Sequence, residues 1–113
     1  MKKDIFDQVD LNQFETLALD LEGTLISNAV SQIPGDGLYE FLEFCKSQFK
    51  KIVMFTAVPE HKFREISRTL VSYGDVPSWF ESLECVKWNP AEELKDLRKV
   101  DKNWKKVLII DDM

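Results

Sequence analysis

The sequence holds two cysteines and one histidine among its 113 residues, which leaves almost nothing to build a soft-metal cluster from. Cys45 and Cys85 stand far apart and form no C-x-x-C pair, so neither a zinc knuckle nor a redox dithiol is indicated. Neither has an arginine six residues on, where Lys51 and Ala91 stand instead. A cysteine-dependent phosphatase loop is therefore excluded, and both thiols read as small core residues. His61 has no second His or Cys beside it and reads as a surface residue. Basic charge is also short. Lys and Arg number 15 against 20 Asp and Glu, a formal net charge of -5, so the chain lacks the clustered cations that hold a nucleic-acid backbone. The densest basic stretch, residues 95–106, is interrupted by Asp96 and Asp101 and reads as a solvated face. No apolar run approaches the roughly 20 residues that cross a bilayer. The opening Met-Lys-Lys-Asp-Ile-Phe-Asp has no apolar core or cleavage site of a secretory signal. No membrane partner is expected, and a cytoplasmic location follows as the default.

What is present is a globular composition, 44% hydrophobic and 31% charged, on a length that predicts one domain over residues 1–113 with a single core and no separate cap. Residues 14–21 read as a central strand, apolar on both faces. Residues 27–37, with Ser27, Asn28, Ser31, Pro34, Gly35 and Gly37, read as an exposed loop or flap. Leu38, Phe41, Leu42, Cys45 and Phe49 recur at helical spacing and predict a helix with one apolar face. Residues 51–57 read as a second buried strand ending in Thr56. Pro59 then opens a helix that carries Phe63, Ile66 and Leu70 inward and ends at Tyr73-Gly74. Trp79, Phe80, Leu83, Cys85 and Val86 suggest an aromatic patch and a third short strand. The patch could meet a partner, although packing is the safer reading. Residues 90–97 read as a short helix or turn bearing Lys95, and Val107 to Ile110 as a last buried strand ending in Asp111-Asp112. Strands alternating with helices imply an α/β sandwich with a mostly parallel sheet.

The most informative stretch is Leu17-Ala-Leu-Asp-Leu-Glu-Gly-Thr-Leu-Ile26. An apolar strand there delivers Asp20 and Glu22 into a turn that Gly23 permits. Paired carboxylates beside a turn suit metal binding or acid–base work. The motif alone also fits an ordinary buried strand running into a polar turn. Parallel sheets, however, bind ligands beyond the carboxyl ends of their strands, and Asp20, Thr56 and Asp112 each close an expected strand. Three polar residues far apart in sequence are thereby expected at one edge.

Taken in order, Asp20-Leu-Glu-Gly-Thr24, Thr56, Lys95 and Asp111-Asp112 resemble the four motifs of the haloacid dehalogenase superfamily of phosphatases and phosphotransferases. Met54-Phe-Thr-Ala57, residues 79–86, Lys95-Asp-Leu97 and residues 107–112 are similar to the branch of carboxy-terminal-domain and nuclear LIM interactor-interacting-factor-like phosphatases. The resemblance implies a Rossmann-like three-layer sandwich without a cap domain. It implies Asp20 as the nucleophile of an aspartyl-phosphate and as a Mg²⁺ ligand, joined by Glu22 through its carbonyl, by Asp112, and by Asp111 as a further ligand. Glu22 is implied as the acid–base group. Thr24, Thr56, the backbone at Ala57 and Lys95 are implied as groups that hold the phosphoryl group.

Two departures stand out. Glu22 replaces the second Asp of most such phosphatases, and its carboxyl, one methylene longer, must be aimed differently. The chain also stops at Met113, where relatives continue, so further C-terminal elements are expected to be missing. The expected activity is a Mg²⁺-dependent phosphatase acting on a phosphorylated protein or another exposed phosphoester. The other reading is a catalytically weak binding domain that meets a partner through Trp79, Phe80 and the flap. A receiver-like phospho-acceptor is disfavoured, because its acidic pair would sit on the first strand. Nothing in the sequence sets an oligomeric state.

Overall fold

A computed structural model of the chain describes residues 6, 10–28, 32–87 and 97–110. Four parallel strands, β1 (Thr16–Leu19), β2 (Lys51–Thr56), β3 (Glu84–Lys87) and β4 (Val107–Ile110), form one sheet in the order β3-β2-β1-β4. All four residues of β1 are buried, as are the last five of β2. Continuous apolar runs are what a strand needs when both of its faces are covered. β1 pairs with β2 from Thr16↔Lys51 to Leu19↔Met54, and with β4 from Thr16↔Val107 to Leu19↔Ile110.

Side-chain alternation sends Leu17, Leu19, Ile52, Met54 and Ile110 to one face, into the main core cluster, together with the buried residues of both described helices. Ala18, Val53, Phe55 and Val107 form a second cluster with Val100, which follows a short 3-10 turn at Leu97–Lys99. The α/β architecture with a parallel sheet is the expected one.

Helix α1 (Leu38–Gln48) starts on Gly37, whose backbone is left-handed at φ 70°, and has no side-chain cap. Leu38, Phe41, Leu42 and Cys45 are buried, and Phe49 beyond its end is buried too, as their spacing predicts. A missing cap costs about 1 kcal/mol, whereas each large buried side chain contributes about 1.5–3 kcal/mol, so packing holds this helix. Phe6 stacks on Phe41 at 5.8 Å between ring centroids. Helix α2 (Glu60–Ser72) has Pro59 at its N-cap position and buries Phe63, Ile66, Ser67 and Leu70. It ends in paired bonds from Gly74 N–H to the Val71 carbonyl and from Asp75 N–H to the Leu70 carbonyl. Gly74, at φ 75°, supplies the left-handed residue that this ending requires.

Three expectations need correction. The first strand is shorter than residues 14–21, because the Asp20 carboxylate accepts the Leu21 N–H at 2.9 Å and so takes the donor that would extend the ladder. Residues 78–82 form a 3-10 helix that the aromatic pattern did not announce. Its Phe80 is fully buried, with its ring 5.5 Å from that of Phe63, so it is unavailable to a partner. Trp79 is half-buried, donates to Glu43 Oε1 at 3.4 Å and lies under Lys46. Cys45 is a core residue as expected, but Cys85 is only half-buried. The expected turn at residues 90–96 with Lys95, and the terminal Asp111 and Asp112, lie outside the described residues. No described helix is long and apolar enough to cross a membrane.

Candidate active site

The turn after β1 is built by alternating anchors and polar groups. Leu21, Leu25 and Ile26 are buried, and the N–H groups of Leu25 and Ile26 both donate to the Leu21 carbonyl. Between these anchors the chain presents Asp20, Glu22 and Thr24. Asp20 is only 9% exposed, whereas Glu22 and Thr24 are half-buried. Gly23 sits at φ 73° and donates to the Ile26 carbonyl at 2.8 Å, so the turn doubles back on itself. A side chain at Gly23 would strain this backbone. A carboxylate as buried as Asp20 must be paired to remain charged, and the Leu21 N–H supplies one charge-assisted bond.

Thr56 ends β2, the neighbouring strand. The register Leu19↔Met54 carries both chains to the same carboxyl edge of the sheet, so Asp20 and Thr56 close adjacent strands as expected. Thr56 is 1% exposed, and its Oγ1 accepts the Val58 N–H at 3.1 Å. That bond uses the acceptor side of the hydroxyl, while its O–H proton has no partner among the described residues. A buried donor left this way is uncommon in folded proteins and points to a ligand. Ala57, next to it, is half-buried. On the other side of β1, the Asp20 N–H donates to the Ile110 carbonyl at 3.1 Å, so the end of β4 is tied to the same place. Asp111 and Asp112 follow Ile110 in the sequence and, with Lys95, lie outside the described residues.

Beyond Ile26 the flap is a hairpin. Ile26 bridges both Glu22 and Pro34, Gly35 N–H donates to the Leu25 carbonyl, and Ser27 N–H to the Ile33 carbonyl. The sequence marked this region as an exposed loop but gave no sign of its pairing. Nor did it signal Gln32, which holds a left-handed backbone at φ 54°.

No group of three or more His, Cys, Asp or Glu among the described residues could hold a metal ion. The described part of the expected donor set is the Asp20 carboxylate and the Glu22 carbonyl. These are oxygens only, the donor type that a hard cation such as Mg²⁺ takes. Thiol chemistry is disfavoured here. Burial pushes the Cys45 thiol up to about 12, and burial followed by the Glu60 charge raises Cys85, with Arg64 opposing. A thiol must ionise to act as a nucleophile. The edge therefore gathers a buried carboxylate, a second carboxylate one turn on and an oriented hydroxyl, a set suited to phosphoryl transfer.

Comparison with known proteins gives the chain a family. The chain belongs to the NLI interacting factor-like phosphatase family, whose model matches residues 15–113, a family of the haloacid dehalogenase superfamily. Two curated relatives, from Aspergillus fumigatus and Emericella nidulans, are both named mitochondrial import inner membrane translocase subunit tim50. Each is 30% identical over 108 residues, covering 90% of this chain. The match spans only 21% and 20% of the relatives' own lengths. No solved structure matches the chain.

Proposed function

We propose that the chain is a capless Mg²⁺-dependent phosphatase that works through an aspartyl-phosphate on Asp20 and acts on a phosphoprotein side chain or another exposed phosphoester. The observation that supports this reading is the position of Asp20 and Thr56 at the carboxyl ends of adjacent parallel strands, with the Thr56 hydroxyl accepting from Val58 and its proton left to donate. Family membership supports the reaction class.

In the proposed reaction an Asp20 Oδ attacks phosphorus as the ester P–O bond breaks, and the leaving oxygen takes a proton from the Glu22 carboxyl. Water then gives a proton back to Glu22 and attacks the acyl phosphate, which frees phosphate and restores Asp20. The Thr56 hydroxyl and the backbone at Ala57 donate to the phosphoryl oxygens, Lys95 adds positive charge, and Thr24 borders the entrance. Asp20, the Glu22 carbonyl and Asp112, with Asp111, would hold Mg²⁺, which when bound neutralises charge on the phosphoryl group. Metal-dependent hydrolysis of an aryl phosphate that Asp20→Asn abolishes is the test of this assignment.

A second reading has its own support. Both curated relatives are named as translocase subunits, and Glu22 replaces the shorter acid of most family phosphatases. On that reading the fold is a catalytically weak binding domain, in which Mg²⁺ raises the melting temperature while turnover stays at background. Its docking surface would be the flap, since Phe80 is sealed in the core.

A further inference from the structure

The carboxyl edge of the sheet does not stop at Thr56. The register from Val53↔Glu84 to Thr56↔Lys87 places Lys87, the last residue of β3, beside Thr56, the last residue of β2. Neighbouring strands lie about 4.8 Å apart, so Lys87 stands about 5 Å from Thr56 and about 10 Å from the end of β1. Alternation puts it on the sheet face of Met54, Thr56 and Cys85. The two ends of β3 differ in how their charges are met. Glu84, at the start, pairs with Lys51 Nζ at 2.9 Å. Lys87 is exposed and has no carboxylate partner among the described residues, whereas Lys50 and Lys62 each have one, at 3.5 and 3.8 Å. Glu60, the acid in the first turn of α2, is held by Arg64 Nη2 at 3.0 Å. The charges of both act on Cys85, so this turn lies over β3 yet makes no ion pair with Lys87. The β1 side of the edge carries the carboxylates of Asp20 and Glu22, which repel a second negative charge on a ligand. The β3 side carries an ammonium on a flexible stem, which attracts one.

We propose that Lys87 is a specificity-determining residue that pairs with an acidic side chain one to three residues from the phosphorylated residue of a polypeptide substrate. An extended chain covers about 3.3–3.6 Å per residue, so three residues bridge the roughly 10 Å between the ends of β1 and β3. The inference rests on the phosphatase reading above and adds to it the charge that the flank of the substrate carries. A lysine on an edge strand can also serve only to deter pairing with another chain. That role is indifferent to the sign of the charge, whereas recognition of an anion reverses when the charge is reversed. An exposed ion pair is weak in water, so the discrimination it gives is about fivefold or less.

The test is kcat/KM of the full chain, with Mg²⁺, on phosphoserine peptides alike except for Asp, Asn or Lys placed one to three residues to either side. Wild type is expected to favour one Asp position over its Asn counterpart by about threefold to fivefold, a ratio that falls toward one as salt rises from about 0.01 to 1 M. Lys87→Gln, on an exposed side chain and checked by its melting curve, is expected to bring that ratio to about one. Lys87→Arg should keep it, and Lys87→Glu should favour Lys at the same position instead. A wild-type enzyme that hydrolyses all the peptides alike, or a Lys87→Glu enzyme that keeps the Asp preference, overturns the role of Lys87 and leaves the phosphatase reading standing. Hydrolysis of none of these peptides overturns the phosphatase reading and the inference with it.

Discussion

The turns that follow β1 and β2 solve the same problem differently. Each strand ends where a side-chain oxygen accepts a backbone N–H that lies just ahead, Asp20 from Leu21 and Thr56 from Val58. After β2 a single bond and one buried anchor, Val58, suffice, and the hydroxyl is left 1% exposed. After β1 the turn needs three buried anchors, a left-handed glycine and a bond back to Ile26, and it leaves its carboxylate at 9% exposure. A hydroxyl that offers one proton needs only a single point of approach and can lie deep, whereas a carboxylate that is to attack phosphorus must be reached more openly. The longer turn is what positions a charged side chain at the edge of a core without burying it entirely.

The comparison is broken most sharply at the carboxylate. Asp20→Asn keeps an oxygen for the Leu21 N–H, so the melting temperature should change little while metal-dependent hydrolysis falls by about a thousandfold or more. Thr56→Val should act on both stability and rate. It leaves the buried Val58 N–H without an acceptor, costing about 1–3 kcal/mol in chemical denaturation, and removes a donor worth on the order of a hundredfold in kcat. Thr56→Ser should recover most of both.

Gly23→Ala and Gly74→Ala sharpen the contrast further. Both place a side chain on a left-handed backbone, at φ 73° and 75°, and each should cost about 1–2 kcal/mol. A Cβ at Gly74 meets nothing within 4 Å, so only the Gly23 variant should also lose activity. The smallest effect at neutral pH belongs to Cys45. Its thiol is raised from 9.0 to about 12 by burial, so the folded chain keeps a proton that the unfolded chain gives up. Stability is unaffected below about pH 9 and falls between about 9 and 12. Denaturation midpoints at pH 7, 9 and 10 should show that slope, and Cys45→Ala should reduce it to the part that the raised Cys85 thiol contributes.

Much of this was legible because hydrophobic pattern and punctuation agree. Leu38, Phe41, Leu42 and Cys45 announced α1, and Gly74 announced the end of α2, because packing period and left-handed backbone are written directly in residue type. The carboxyl-edge grouping of Asp20 and Thr56 followed from parallel pairing alone. What was not legible depends on backbone pairing that residue type does not encode. The hairpin of the flap joins Ser27 to Ile33 through main-chain groups, and Gln32 carries no compositional mark of its left-handed backbone. Phe80 and Trp79 read alike in sequence, yet one is sealed against Phe63 and the other lies half-exposed under Lys46, a difference set by how the 3-10 helix docks on α2.

The central claim is tested most directly by hydrolysis of an aryl phosphate by wild type and Asp20→Asn, each with Mg²⁺ and with EDTA. Turnover by wild type with Mg²⁺ alone, lost both on chelation and in the variant, is the result the aspartyl-phosphate account predicts. Turnover that survives in Asp20→Asn, or none in wild type with Mg²⁺, contradicts it.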